Sequence, residues 1–295
     1  MNTTTDSAVA VESTSHDRGR SIGAILVEHG KLKPDDVELI QKHASEHRIR
    51  FGDAAIQLKL ITSEDVKFAL ARQFKFPDFL RGDDGVADEV IAAHGPQNEI
   101  VEPIRRLRSQ LMIRWLNAAS RKVLAITSAD RREGRSWLAA NLAVAFAQVG
   151  MRTLLIDADM RYPQQHRLFN LDNSLGLSAF LTNRGGPSTV CRVHPQLRLY
   201  VLPAGSVPPN PQELLACPAF GVVIDRFAEQ FDNGIVLIDT PAAAETSDAQ
   251  LIVAKAGAAF VLGRRNHTRQ ANLDAAMRDL KSTGAEIVGC VLNEY

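Results

Sequence analysis

Short apolar runs alternate with longer helical segments over the last two-thirds of the chain. The runs are continuous rather than alternating, which is typical of strands that helices cover on both faces of a sheet. The predicted strands are Val123–Ser128, Thr153–Asp157, Leu197–Leu202, Ile235–Asp239, Ala258–Leu262 and Ile287–Leu292, and a helix is predicted over Gly134–Val149. This alternation predicts an α/β fold with a doubly wound, mostly parallel sheet. Ligands bind such sheets beyond the carboxyl ends of the strands.

An internal repeat with helical character precedes this region. Gly23 in the first copy corresponds to Gly52 in the second, and Val37 corresponds to Val66. Each copy reads as a short helix, a turn and a second helix. The second helices are expected to start at Lys33-Pro-Asp-Asp and at Thr62-Ser-Glu-Asp, because an early proline, a threonine cap and first-turn acids all favour a helix start. The repeat therefore predicts a small all-α domain.

Composition and the positions of glycine and proline predict the domain boundaries. Residues 1–19 are rich in Ser and Thr and lack periodicity, so they are predicted to be a disordered tail. The helical repeat domain is assigned to 20–80. The glycine- and proline-punctuated stretch 81–99 is predicted to be a linker, and the α/β domain is assigned to 100–295.

Overall charge and hydropathy exclude several function classes. The 34 basic and 34 acidic residues give a formal net charge of zero, so no bulk basic field argues for a nucleic-acid partner. The amino terminus lacks a signal-peptide pattern, and no apolar run approaches the ~18 residues of a membrane helix. We therefore expect a cytoplasmic protein whose membrane contact comes through a partner.

A candidate phosphate-binding loop follows the first predicted strand. Thr127-Ser-Ala-Asp-Arg-Arg-Glu-Gly-Arg-Ser136 places Gly134-Arg-Ser where a P-loop has Gly-Lys-Ser. Backbone N–H groups of such a loop and the following helix N-terminus bind phosphate oxygens, and the serine hydroxyl binds Mg²⁺. Ala129 replaces the first glycine and Arg135 replaces the lysine. Taken alone, the segment fits a polar turn that caps a helix equally well.

Two further strands end in carboxylates and strengthen the phosphate-site interpretation. Asp157 and Asp159 follow one strand, and Asp239 ends another in Ile-Val-Leu-Ile-Asp-Thr-Pro. Each alone fits an ordinary strand end. Carboxylates gathered at the same edge of a sheet repel one another without a cation, so the three elements in this order are specific for a nucleotide and metal site.

With these motifs in place, the span 100–295 resembles the cytoplasmic domain of bacterial tyrosine kinases, which are relatives of capsule and exopolysaccharide chain-length regulators. The loop, Asp157-Ala-Asp-Met-Arg161, Asp239-Thr-Pro and the proline-rich stretch 203–215 carry the resemblance. It implies a P-loop NTPase domain behind the all-α domain. The implied function is that of an ATP-dependent protein-tyrosine autokinase that regulates exopolysaccharide polymerisation, chain length and export.

The resemblance implies ATP and Mg²⁺ as cofactors and assigns roles by position. Catalytic roles fall on Arg135, Asp157, Asp159 and Asp239, with Asp157 or Asp159 orienting or deprotonating the tyrosine hydroxyl. The implied Mg²⁺ ligands are Ser136, Asp157 and Asp239. The implied nucleotide contacts are Asp130, Arg131, Arg132, Glu133, Gly134, Arg135, Ser136, Trp137 and Asn293.

Two departures from the family pattern bear on activity. Phosphoryl transfer needs mainly positioning and charge neutralisation, which Arg135 can supply. Its planar fork is nevertheless bulkier than a lysine ammonium, so turnover is in question more than binding is. The family's tyrosine-rich tail is reduced here to Tyr295, two residues past Asn293, and so short a tether is expected to make phosphorylation of this acceptor weak.

The resemblance also implies partners. Glu102, Arg105 and Arg108 match the Glu-x-x-Arg-x-x-Arg motif through which the family assembles rings. The alternative is a solvated helix face with local ion pairs at this spacing. A membrane polysaccharide co-polymerase is the other implied partner and would place the protein peripherally at the inner membrane.

The amino-terminal repeat resembles the N-terminal domain of type II secretion and pilus ATPases, some of which bind cyclic di-GMP. The second copy keeps Arg50, Gly52 and Gln73 but has Lys59 where a glycine is expected. The first copy has Ser21 and Ala44 at the arginine and glutamine positions. Because half of the motif is missing, a structural or docking role is favoured over cyclic di-GMP binding.

Two rival functions stay open at this stage. One is a catalytically weak ATP-binding scaffold that gates assembly of the membrane co-polymerase, which Arg135 and the short tail favour. The other is a partitioning-type ATPase, against which Asp130 stands where that group has an extra lysine.

Overall fold

The computed structural model describes residues 21–73, 85–94, 99–118, 122–231 and 234–294. The chain forms two compact units, Met1–Phe76 and Pro77–Tyr295. The predicted tail 1–19 lies outside the described residues, as do 81–84 and 95–98 of the predicted linker. Within the described segments, no helix is both long enough and apolar enough to cross a membrane.

The first unit consists of two helix pairs, as the repeat predicts. Its helices are α1 (Ile22–Glu28), α2 (Pro34–His47), α3 (Phe51–Gln57) and α4 (Ser63–Gln73). The predicted starts of α2 and α4 are confirmed. At α4 the Asp65 N–H donates to Thr62 Oγ1 at 3.2 Å, and the Thr62 N–H donates to Asp65 Oδ2 at 2.9 Å. These reciprocal bonds satisfy two backbone donors that the first helical turn leaves unpaired.

The repeat explains which small residues the first unit needs. A Cβ on Gly23 would lie 3.3 Å from Val37 Cγ1, and one on Gly52 would lie 3.0 Å from Val66 Cγ1, so corresponding residues meet in both copies. The turn after each short helix also uses a left-handed residue, Gly30 with φ 66° and Lys59 with φ 56°. Lys59 thus adopts the conformation that glycine favours at the position where a glycine is expected.

The second unit is built on a seven-stranded sheet with the order β3-β4-β2-β5-β1-β6-β7. Its strands are β1 (Val123–Ser128), β2 (Arg152–Asp157), β3 (Cys191–Arg192), β4 (Leu199–Leu202), β5 (Gly234–Asp239), β6 (Ala258–Arg264) and β7 (Glu286–Asn293). All pairings are parallel except that of β3 with β4. The predicted doubly wound α/β fold is confirmed. The two-residue antiparallel edge strand β3 has no pattern in the sequence that would predict it.

Helices cover both faces of this sheet. They are α5 (Glu102–Leu111), α6 (Arg135–Gln148), α7 (Gln165–Leu168), α8 (Leu177–Leu181), α9 (Pro211–Ala216), α10 (Pro218–Gln230), α11 (Asp248–Ala256) and α12 (Gln270–Ser282). Leu124 and Ile126 of β1 pack toward the side of α6, whereas Val123 and Ala125 pack toward the side of α10 and α11. Alternate residues of the strand therefore reach two separate cores, which is why the run is continuously apolar.

The prediction of a linker over 81–99 is wrong for residues 85–94. Residues 85–94 pack on the α/β unit rather than connecting it loosely, and Val86, Val90 and Ala92 are buried in its core. The Asn141 side chain of α6 accepts a hydrogen bond from the Ala92 N–H at 2.8 Å. Glycine and proline on both sides suggested a linker, but they bracket a short apolar segment that packs against α6.

Candidate functional site

The phosphate loop, residues 129–134, connects β1 to the N-terminus of α6. Gly134 caps α6 with φ 89°, and a Cβ at this position would lie 2.3 Å from Asn293 Nδ2. Only glycine fits both the left-handed conformation and this approach. Ala129, where the family pattern has a glycine, is fully buried and is not among the residues with positive φ. This departure therefore costs the loop no backbone strain.

Side chains from β7 and from the start of α12 hold the loop in place. Asn293 Nδ2 donates to the Glu133 carbonyl at 2.9 Å, and Asn272 Nδ2 donates to Asp130 Oδ2 at 3.0 Å. Thr268 Oγ1 donates to the Glu133 carboxylate, which also accepts the Asp130 N–H at 2.9 Å. Asp130, Glu133 and Asn293, all predicted nucleotide contacts, thus also fix the shape of the loop.

Three aspartates meet beside the loop, and together they form what we call the acidic cluster: Asp157, Asp159 and Asp239. Asp157 of β2 and Asp239 of β5 are direct partners in the parallel pairing, so adjacent strands end on facing carboxylates. All three side chains are buried. The structure therefore brings together the carboxylates that the sequence placed on separate strand ends.

Hydrogen bonds fix the orientation of Asp157. Its Oδ2 accepts the backbone N–H groups of Gln164 at 3.0 Å and Gln165 at 2.9 Å, and its Oδ1 accepts the Asp159 N–H at 3.2 Å. Burial, and after it the charge of Asp239, raises the pKa of Asp157 well above the ordinary aspartate range. A fully buried carboxylate next to others is costly to ionise unless a cation is close.

Asp239 shows the same effect in a milder form. Burial raises the pKa of Asp239 to about 6, while the nearby Arg135 charge and hydrogen bonds from Gln165 and Ser136 oppose the rise. Gln165 Nε2 donates to Asp239 Oδ2 at 2.7 Å and to the Ser136 carbonyl at 3.0 Å. Ser136 and Asp239, both predicted Mg²⁺ ligands, therefore lie side by side.

Arg135, the residue at the P-loop lysine position, turns into the acidic cluster. Its guanidinium donates to Ser128 Oγ at 2.7 Å and to Asp159 Oδ2 at 3.1 Å, and its Nε lies 3.7 Å from Asp239 Oδ1. The side chain is buried, with a relative exposure of 8% for the residue. In this arrangement the arginine neutralises carboxylates instead of extending along the phosphate loop.

The cluster retains an acceptor that could take a metal ion. Within the part of the chain that the structure describes, Asp239 Oδ1 is buried without a hydrogen-bond partner, and the same holds for Arg135 Nε. Buried polar groups are nearly always paired, so an orphaned carboxylate oxygen beside a serine hydroxyl is a site that a cation would satisfy. Carboxylate and hydroxyl oxygens are the ligands that Mg²⁺ prefers. The residues present thus fit a magnesium ion.

A cavity of about 480 Å³ opens in front of the loop, within the usual size range of small-molecule sites. It is lined by Glu89, Arg131, Arg132, Glu133, Gly134, Arg135, Ser136, Trp137, Asp159, Tyr162, Gln164, Arg167 and Leu168. The Arg131 guanidinium stacks over the exposed Tyr162 ring at 3.6 Å from its centroid, and Arg131 Nε lies 3.2 Å from Glu245 Oε1. Arg131 therefore stands at the rim, while Asp159 faces the cavity directly.

Trp137 also lines a second, largely apolar cavity of about 680 Å³. Its other walls come from residues at and just before the start of α5, from α6, and from the ends of β6 and β7: Ile100, Pro103, Ile104, Leu107, Leu138, Leu262, Val291, Leu292, Asn293 and Glu294. A polar, cation-rich cavity thus adjoins an apolar one, and Trp137 is common to both.

Two other predictions concern a ring interface on α5 and a tyrosine that accepts phosphate. Arg105 lies 3.8 Å from Glu102 across one helical turn of α5, and Arg108 donates to the Ala145 carbonyl of α6 at 3.2 Å. Local contacts therefore exist within the ring motif, and its interface role stays a prediction. The predicted acceptor Tyr295 lies outside the described residues. For the first unit, the structural or docking role that the incomplete motif favours over cyclic di-GMP binding also stays a prediction.

The structure adds residues that the sequence analysis missed. Gln165 links Ser136, Asp157 and Asp239, and Ser128 accepts from Arg135. A glutamine at a helix start and a serine at a strand end are common features, so no sequence signal singles them out. Thr268 and Asn272 clamp the loop from more than a hundred residues away, which only the pairing of β6 beside β1 makes possible.

Known proteins resemble about two-thirds of this chain. Over 200 residues the chain is 35% identical to CapB of Staphylococcus aureus, a provisionally named tyrosine-protein kinase, covering 68% of this chain and 86% of CapB. It is 31% identical over 205 residues to the tyrosine-protein kinase Wzc of Salmonella typhimurium, covering 70% of this chain but only 28% of Wzc. No protein-family model matches the chain.

A solved structure supports the same relationship. The chimerical protein CapA2B2 superposes with a TM-score of 0.66 at 31% sequence identity, covering 78% of this chain and 99% of the chimera. The described fold, the order of the motifs and these relatives agree.

Proposed function

Because the chain belongs to the bacterial tyrosine-protein kinase family, we propose that it is an ATP-dependent protein-tyrosine autokinase that regulates exopolysaccharide polymerisation, chain length and export. The observation that carries the proposal is the buried acidic cluster beside the α6 N-terminus and the phosphate loop. Phosphoryl transfer needs a cradle for phosphate, a place for a divalent cation and a group that positions the acceptor hydroxyl, and this edge of the sheet offers each of them.

In this proposal the phosphates of ATP lie in the 480 Å³ cavity. Backbone N–H groups of residues 131–136 and the positive end of α6 would bind them. The base would lie toward Asn293 and the apolar cavity that Trp137 shares. Ser136, Asp157 and Asp239 would hold Mg²⁺, which neutralises phosphate charge when it is bound.

Asp159 is the better candidate for the group that orients or accepts the proton of the tyrosine hydroxyl. It lines the cavity, which Asp157 does not. The oxygens of both side chains accept hydrogen bonds, those of Asp157 from backbone N–H groups and those of Asp159 from the Tyr162 N–H and the Arg135 guanidinium. A general base must come within hydrogen-bond reach of the proton it removes. Asp157 therefore acts through position and charge, and Asp159 faces the acceptor.

The scaffold alternative is favoured by one observation, the burial of Arg135 among carboxylates. If the guanidinium stays there when ATP binds, the transferred phosphoryl group lacks its cation and turnover falls. The protein would then sense nucleotide without phosphorylating tyrosine. The membrane partner proposed from the family is a polysaccharide co-polymerase, and self-association through α5 is the second proposed contact.

Phosphotyrosine mass spectrometry of the purified, phosphatase-treated protein with and without Mg·ATP tests the proposal. The autokinase should gain phosphotyrosine only with Mg·ATP, and Asp159→Asn should lose that gain while keeping Mg·ADP affinity. An equal Mg·ATP-dependent gain in wild type and variant would show that Asp159 is not needed for the transfer. Mg·ADP binding by calorimetry without any gain of phosphotyrosine would establish the scaffold instead.

A further inference from the structure

One face of α2, in the first unit, gathers three metal-ligating side chains. His43, Glu46 and His47 occupy positions i, i+3 and i+4, which neighbour one another on a helix surface. One ligand atom from each residue lies within 4.8 Å of the ligand atoms of the other two. The two imidazole rings have centroids 4.1 Å apart with an interplanar angle of 34°. This geometry brings two imidazole rings and one carboxylate close enough together to bind a single ion.

The hydrogen bonding of His47 presents a free nitrogen to this point. His47 Nδ1 lies 3.1 Å from the His43 carbonyl oxygen, and a carbonyl can only accept, so Nδ1 carries the proton. The neutral ring then has its lone pair on Nε2. Metal-binding histidines are typically oriented in this way, with one ring nitrogen donating to a carbonyl and the other facing the metal.

A side-chain amide borders the cluster as a hydrogen-bond partner. Gln57 Oε1, at the end of α3, lies 3.4 Å from His43 Nε2 and can only accept from it. The amide therefore comes from the second copy of the repeat to a cluster on the first. Glu46 and His47 are exposed, so the remaining coordination positions face solvent.

We propose that His43, Glu46 and His47 form a binding site for a first-row divalent transition-metal ion, with Zn²⁺ as the physiological candidate. Imidazole nitrogens favour Zn²⁺, Cu²⁺ and Ni²⁺, whereas Mg²⁺ and Ca²⁺ prefer ligand sets made of oxygen alone. The site is chemically distinct from the acidic cluster of the second unit. Its open positions hold water or a donor from a bound partner.

Calorimetry with Zn²⁺ on the full chain, free of any purification tag and with excess Mg·ADP present to occupy the nucleotide site, tests the proposal. Wild type should bind one Zn²⁺ at neutral pH. His43→Ala and His47→Ala should each weaken this binding by at least about tenfold, the size of effect that altered metal sites commonly show. Glu46→Gln should weaken it less, because both nitrogens remain. His29→Ala removes an exposed histidine from the same unit and should bind as wild type does.

Two further measurements separate metal binding from folding defects. Zn²⁺ should raise the melting temperature of wild type and not that of His47→Ala, because a ligand that binds only the folded state stabilises it. With Cu²⁺ as the probe, the electron paramagnetic resonance spectrum of wild type should show two coordinated nitrogens, and that of His43→Ala one. Unchanged Zn²⁺ affinity in both histidine variants, or no Zn²⁺ binding by wild type at micromolar concentrations, would overturn the proposal.

Discussion

Replacing Arg135 by lysine tests directly what limits phosphoryl transfer in this protein. The arginine now donates to Ser128 and Asp159 and lies near Asp239. To reach a phosphate, its guanidinium has to leave at least one charge-assisted hydrogen bond. A lysine places one compact ammonium at the same position and lacks the planar fork that spans two acceptors.

The magnitude follows from that release. A hydrogen bond to a charged partner contributes about 1.5–3 kcal/mol, so breaking one on the way to the transition state slows turnover by roughly 10- to 150-fold. Lysine avoids most of this cost because it cannot hold Ser128 and Asp159 together. We therefore expect Arg135→Lys to raise kcat/KM for Mg·ATP by about tenfold or more.

The assay is phosphoryl transfer to a soluble tyrosine-containing peptide, which makes the rate independent of the protein's own acceptor. Affinity for Mg·ADP, measured in parallel by calorimetry, separates binding from turnover. Arg226→Lys on the exposed surface of α10 makes the same chemical change away from the site and should leave both quantities unchanged.

Two outcomes would refute the reasoning. If Arg135→Lys keeps its affinity for Mg·ADP but turns over no faster than wild type, the contacts of the arginine with the acidic cluster are not inhibitory. If it turns over more slowly, the guanidinium is the better phosphate ligand in this protein. Arginine at position 135 would then support catalysis better than the lysine of the family does.

The remaining predictions concern pH and assembly. The pKa of Asp239 is about 6 in the folded protein against an ordinary 3.8, so between these pH values the folded state keeps a proton that the unfolded chain has released. The difference corresponds to about 3 kcal/mol in the free energy of unfolding. This stability is fully present below pH 3.8 and is lost as the pH rises through 6. Urea unfolding without metal should show this fall, Asp239→Asn should flatten it, and Mg²⁺ should restore stability above pH 6; a wild-type profile that rises through the window would contradict it. For assembly, alanine at both Arg105 and Arg108 should lower the mass measured by light scattering with nucleotide present, and a wild type that is monomeric at every concentration would exclude the ring.

The sequence predicts most of the sheet because each central strand is buried on both faces. Continuous apolar runs located β1, β2, β5, β6 and β7 within one or two residues, and the aspartates that end β2 and β5 marked the edge where the site lies. What the sequence could not predict depends on spatial pairing. The direct pairing of Asp157 with Asp239 fixes the distance between carboxylates, and no spacing along the chain encodes it.

The segment 85–94 and Gln165 were not predicted from the sequence for two different reasons. Glycine and proline around 85–94 are typical of a linker, yet Val86 and Val90 are buried in the core on the α6 side, and Asn141 and Gln148 of α6 hydrogen-bond to the segment. Tertiary packing therefore outweighs the local preference of glycine and proline for loops in this segment. Gln165 is invisible for another reason, since its role arises only where α7 begins beside two strand ends.

The acidic cluster gives a physical reason why Arg135 matters for both kinase and scaffold. Three buried carboxylates need positive charge. Among the described residues the Arg135 guanidinium supplies it, while Asp239 Oδ1 has no hydrogen-bond partner there. A divalent cation at Ser136 and Asp239 would supply the same charge, so the cation and Arg135 compete for one electrostatic role. A bound Mg²⁺ would supply positive charge at Ser136 and Asp239 and would weaken the hold of the carboxylates on Arg135. An arginine at this position would then couple metal binding to phosphate binding, which a lysine with fewer contacts to the cluster would do less strictly.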